Sequence, residues 1–78
     1  MRNKYAKQIE ALKIKAPRGE YVTVESIIDL MEWHKKSWCN NRIVSNIMKR
    51  AGFVFIRQDP YHYLGRIHSR GIWLFPED

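Results

Sequence analysis

Residues 4–16 place apolar side chains at Tyr5, Ile9, Leu12 and Ala16, separated by four, three and four positions. That spacing is one face of an amphipathic helix. Pro17 ends it, because the residue before a proline avoids helical geometry, and Arg18-Gly19 completes a turn. Tyr21-Val22-Thr23 is aromatic and β-branched, which predicts a small strand. Thr23 then caps a second helix, with Glu25 near its positive end. In that helix Ile27, Ile28, Leu30 and Met31 form the buried stripe, Trp33 extends it, and Lys35-Lys36 closes it at the negative end. Ser37 to Asn40 reads as a short linker, and Asn40 or Asn41 caps a third helix. There Ile43, Val44, Ile47, Met48 and Ala51 repeat at helical spacing, and Gly52 is placed to end the run. The opposite face carries Arg42, Ser45, Asn46 and Lys49 and no apolar residue.

After Gly52 the period changes. Phe53-Val54-Phe55-Ile56-Arg57 reads as a strand, Asp59-Pro60 as a turn, and Tyr61 to Gly65 as the approach to a second turn. Ile72-Trp73-Leu74-Phe75 is a final strand that Pro76 ends. Gly65 and Gly71 are placed for bends on either side of Arg66 to Arg70. The segment from Phe53 to Phe75 is long enough to hold a third strand.

The chain has 78 residues, enough for one small domain. Its 45% hydrophobic and 13% aromatic content exceeds that of a disordered tail, so it is expected to fold around a modest core. No run approaches the about eighteen apolar residues of a membrane span, and nothing apolar follows the charges of Met1-Arg2-Asn3-Lys4-Tyr5 as in a secretory signal. A cytoplasmic protein is the expectation. The formal net charge is +6, and its distribution is uneven. Lys35, Lys36, Arg42, Lys49, Arg50, Arg57, Arg66 and Arg70 face a single acid, Asp59, between positions 35 and 70. Glu20 to Glu32 holds four acids and no base. A segregated basic segment favours a polyanionic partner, against the plainer reading of a solvated face.

The order helix, short strand, helix, helix and basic β-hairpin resembles a winged helix-turn-helix, an α+β fold, over residues 21–75. The stretch Asn41-Arg42-Ile43-Val44-Ser45-Asn46-Ile47-Met48-Lys49-Arg50-Ala51-Gly52-Phe53 is similar to the recognition helix of such domains running into the first wing strand. Gly65-Arg66 and Arg70-Gly71-Ile72-Trp73 resemble the wing and returning strand at the ends of some phage and plasmid primase-helicase proteins. The resemblance implies a DNA-binding domain over 19–78, a small regulator of transcription or a replication accessory of phage or mobile-element type, with helix 41–51 in the major groove. Arg42, Ser45, Asn46, Lys49 and Arg50 would then be the reading face, since arginine suits guanine and asparagine suits adenine. Lys35, Lys36, Arg57, Tyr61, Tyr63, Arg66 and Arg70, with His62 and His68 interleaved, would follow phosphates or enter a minor groove. Residues 1–18 would form an amphipathic helix that packs on the core or builds the seam of a homodimer.

Catalysis and cofactors are not expected. No phosphate-cradling glycine loop or nucleophile elbow is present, and Cys39 is the only cysteine. His34, His62, His68 and Cys39 lack the paired spacing of a metal site. Cys39 reads as a packing residue, and Trp33, Trp38 and Trp73 as core or core rim. Two function classes therefore compete: a double-stranded DNA binder, and a winged interaction module that docks on an acidic protein as inhibitor or adaptor. RNA binding is a weaker third, without a recognisable signature.

Overall fold

The computed structural model describes residues 4–77 and is a small α+β domain of three helices and a three-stranded antiparallel sheet. Helix α1 spans Ala6–Lys15, strand β1 Tyr21–Val22, helix α2 Val24–Met31, helix α3 Asn41–Ala51, strand β2 Val54–Tyr63 and strand β3 Arg66–Leu74. Strand β3 lies in the middle, between β1 and β2.

Local chemistry accounts for the helix boundaries. At α2 the Thr23 hydroxyl accepts from the Ser26 amide at 3.1 Å, and the Ser26 hydroxyl accepts from the Thr23 amide at 2.9 Å. This reciprocal cap satisfies two amides that the helix itself leaves unpaired. At α3 the Asn40 side chain accepts from the Ile43 amide at 2.9 Å, which resolves the choice of cap between Asn40 and Asn41. Gly52 ends α3 in the left-handed region, at φ 110°.

Helix α2 is shorter than its charge pattern predicts. It stops at Met31, and Glu32 takes the left-handed C-terminal position at φ 58°, with its amide on the carbonyls of Ile28 and Asp29. Lys35 and Lys36 therefore lie in the connection to α3 and do not close α2. Trp33 turns back into the core, which the left-handed residue before it permits. A side chain with a Cβ at such a position is strained. Glu32→Gly is expected to stabilise the domain by about 0.5–1 kcal/mol, read as a higher midpoint in urea with an unchanged slope.

The stripe of α1 is spent within the chain. Ile9, Leu12 and Ala16 share one buried cluster with Ile27, Trp33, Val44, Ile47, Met48, Ala51, Phe53, Trp73 and Phe75. Helix α1 packs against α3, so the face that could have built a dimer seam is covered. Trp38 is half-buried, with its ring 5.4 Å from Tyr5 and 5.3 Å from Trp33, which fastens the α2–α3 connection to the start of α1.

The hairpin departs most from the sequence reading. Asp59 and Pro60 lie inside β2, paired with Arg70 and Ser69, and the strand continues to Tyr63. Strand β2 is at the edge of the sheet, where a proline is tolerated because one side of the strand needs no donor. The turn is Leu64-Gly65, with φ of 53° and 75°. No third strand forms within this segment; the third strand of the sheet is β1. The register shifts between Phe55 and Arg57, which leaves Ile56 without a cross-strand partner. Gly71 is no bend either. A Cβ there would stand 2.9 Å from the Phe55 ring and 3.1 Å from Trp73 Nε1, so the glycine makes room for those two rings, which meet edge to face at 5.2 Å.

Candidate nucleic-acid interface

Because Val44, Ile47, Met48 and Ala51 hold one side of α3 in the core, its polar residues are turned outward. They form two rows at a spacing of four: Asn41, Ser45 and Lys49, and beside it Arg42, Asn46 and Arg50. Asn41, Arg42, Asn46, Lys49 and Arg50 are exposed, and Ser45 is half-buried. The first row borders a cavity of about 500 Å³ whose other walls are Thr23, Val24 and Glu25 at the start of α2 and Phe55, Gln58, Ser69, Arg70, Gly71 and Trp73 of the hairpin. Ser69 donates its hydroxyl hydrogen to Gln58 Oε1 at 3.4 Å across that wall. The start of α2, the polar side of α3 and the base of the hairpin thus meet around one concave surface. Lys49 and Arg70 bring positive charge to it, and Glu25 brings one carboxylate.

The pleat assigns the hairpin residues to two faces. Cross-strand partners point the same way and neighbours alternate. Phe55 with Trp73, Gln58 with Gly71, Pro60 with Ser69 and His62 with Ile67 share the side toward the helices. Arg57 with Ile72, Asp59 with Arg70, Tyr61 with His68 and Tyr63 with Arg66 share the outer side, together with Tyr21 and Leu74 at its base. The wing residues singled out by the sequence are therefore gathered on one face, and it is not the face that borders the α3 polar row. Arg70 touches both: it borders the cavity, while its guanidinium lies 4.0 Å from the centre of the Tyr61 ring.

This outer face is a continuous aromatic and cationic ladder. Tyr61 stacks on His68 at 5.4 Å, and Tyr63 meets His68 edge-on at 6.1 Å. Arg57 Nε donates to Asp59 at 2.8 Å, and its guanidinium lies 5.7 Å from the Tyr21 ring. The hydrogen bond to Asp59 and the charge of that carboxylate hold the Arg57 guanidinium above its ordinary range. Arg57 thus stays charged but is matched by its own acid, and the unmatched charge of the ladder is on Arg66 and Arg70.

Lys35 and Lys36 are exposed in the α2–α3 connection and do not border the cavity. Asn41, Thr23, Gln58 and Ser69 do border it and were missed by the sequence reading. Asn41 was within reach, since it extends the Ser45 and Lys49 row by one turn. Gln58 and Ser69 were not, because their side of the hairpin depends on a register that the irregularity near Ile56 displaces. Among the described residues, no three histidine, cysteine, aspartate or glutamate side chains cluster as a metal site would require, and no helix is long and apolar enough to cross a membrane. No protein-family model, curated protein or solved structure matches this chain.

Proposed function

We propose that the protein is a double-stranded DNA-binding module of winged helix-turn-helix type, a small regulator or replication accessory of the kind found in phages and mobile elements, and not an enzyme. The observation that carries this reading is the exposed polar side of α3, whose Asn41, Ser45 and Lys49 row opens on a concave surface completed by the hairpin while Arg42, Asn46 and Arg50 stand exposed beside it. An α-helix, about 10–12 Å across with its side chains, fits the major groove, which is about 12 Å wide. Arg42 and Asn46 are at the outermost positions of the helix, where side chains reach base edges, and Lys49 and Arg50 stand at its end, where phosphates lie. Arg70, which borders both the cavity and the outer ladder, and Arg66 beside the tip are the hairpin cations that follow the backbone beside the groove, while Arg57, Tyr61 and Tyr63 lie on the outer face of the sheet.

Anisotropy of a labelled mixed-sequence duplex, titrated at several salt concentrations, tests the reading. Affinity is expected to fall with a log–log slope of roughly −3 to −5, as several phosphate counterions are released. Arg42→Ala should cost about 1–3 kcal/mol on a preferred site and relax the choice of one base, whereas Arg66→Ala should weaken all sequences alike. If neither substitution changes affinity at moderate salt, the DNA reading fails.

One observation favours a protein partner instead. The base of the outer sheet face exposes Tyr21 at 65% and Val54 at 48%, beside the half-buried Ile72 and Leu74. An acidic protein docked there would be retained in a pull-down after nuclease treatment and at raised salt, when DNA would be lost.

A further inference from the structure

The tip of the hairpin is built against the usual preference. A two-residue turn with positive φ at both positions favours asparagine or glycine, since a side chain with a Cβ is strained there. Gly65 fits. The other position holds Leu64, at φ 53° and 83% exposed. Beside it Ile67 is 70% exposed and Tyr63 60% exposed, while Arg66 and His62 flank the tip. An aliphatic side chain that is both strained and in water stabilises nothing within the chain, and an outlier of this kind points to an external use.

Its position sets the target. The hairpin is paired from Gln58 and Gly71, at the cavity wall, to Tyr63 and Arg66. The cavity wall reaches Ser69, the partner of Pro60, so at about 3.4 Å per residue the arm carries Leu64 about 14 Å beyond the cavity. Half a turn of duplex is about 17 Å, the step from a major groove to the neighbouring minor groove. Resting on the DNA reading above, we propose that Leu64, with Ile67 beside it, is a wedge that enters the minor groove next to the major groove occupied by α3 and partly unstacks a base step there. Apolar wedges of this kind are narrow and flanked by cations, because the side chain must slip between base pairs while its neighbours hold the phosphates. Arg66 and Arg70 supply those cations on the same arm. An anionic membrane shares the charge preference, but two aliphatic side chains offer little area to hold a domain at a bilayer, and the arm continues from the surface that faces the duplex.

The test uses the full chain and short mixed-sequence duplexes, each with 2-aminopurine at one step and dyes at its ends for energy transfer. Saturation with the native protein is expected to raise 2-aminopurine fluorescence by about twofold or more at one or a few steps and to shorten the end-to-end distance. Leu64→Asn keeps the turn and all charges. It is expected to abolish both signals while affinity falls less than about tenfold and the salt slope stays the same. If the native protein saturates the duplex with no rise, or Leu64→Asn gives the same rise, the wedge is overturned and the DNA reading stands. If no duplex binds at any salt, both fall. Binding to phosphatidylserine vesicles that Leu64→Asn removes, with no unstacking of DNA, would overturn the wedge in favour of a lipid surface.

Discussion

Replacing Arg42, Lys49 and Arg50 together by glutamine is expected to weaken duplex binding on the order of 10²- to 10³-fold at moderate salt. The three side chains stand on one exposed side of α3, and no hydrogen bond or ion pair within the chain engages their charges among the described residues. If all three met phosphates, the magnitude of the log–log salt slope would fall by about 2.7, since each neutralised phosphate contributes about 0.9. A smaller change in slope with a full loss of affinity would mean that Arg42 reads a base. Glutamine keeps helix propensity close to that of arginine and lysine. Loss of two cations from the last turn of α3 costs about 0.3–1 kcal/mol each, small enough to leave the domain folded. The thermal midpoint measured by circular dichroism separates a binding defect from a folding defect. An affinity within twofold of the native value in a folded variant would remove α3 from the interface.

The largest effect on stability is expected at Trp33. Its side chain is 6% exposed, meets Trp38 edge-on at 5.3 Å, and belongs to the buried cluster that holds α1, α2 and α3 together. Truncation of a buried tryptophan to alanine costs about 3–5 kcal/mol, from lost transfer energy and the cavity left behind. A domain of this size has about 4–12 kcal/mol of total stability. Trp33→Ala should therefore lower the melting temperature by about 12–40 °C, at about 4–8 °C per kcal/mol for small domains. A chain already unfolded at 25 °C is the extreme of the same outcome. Ile14→Ala is the matched control: Ile14 is 86% exposed, so its removal should stay within about 0.5 kcal/mol. A shift at Trp33 no larger than the one at Ile14 would contradict the packing of the α2–α3 connection.

The parts of the fold legible in the chain are those set by neighbours within one or two turns. The spacing of Ile9, Leu12 and Ala16, the stop at Pro17, the cap by Thr23, and the buried set Val44, Ile47, Met48 and Ala51 all follow from local periodicity and capping. The polar side of α3 follows for the same reason, because fixing the buried side of a helix fixes the other. The end of α2 was misread because Lys35-Lys36 suits a helix C-terminus electrostatically. Burial of Trp33 outweighed that modest preference and the strain at Glu32.

The hairpin shows where local reading stops. Asp59-Pro60 is a turn signal in isolation, yet the pairing of Pro60 with Ser69 on an edge strand overrides it. The side of the sheet on which each residue lies depends on the register, and a shift of one position reverses every side chain beyond it. Alternation alone could not show that Arg57, Tyr61, Tyr63, Arg66 and Arg70 share the outer face while Gln58 and Ser69 look toward α3.

Local patterning along the chain specifies the three helices, the buried and polar sides of α3, the β character of the C-terminal third, and the concentration of positive charge between Lys35 and Arg70, whereas of the α2 stripe only Ile27 is fully buried. The packing of α1 over α3, the turn at Leu64-Gly65, and the position of the basic aromatic ladder across the sheet from the cavity emerge with the folded chain. The division is physical. Helices are specified by contacts three and four residues apart, whereas strand pairing and sheet faces are set by residues distant in the chain, whose register emerges only when the core closes.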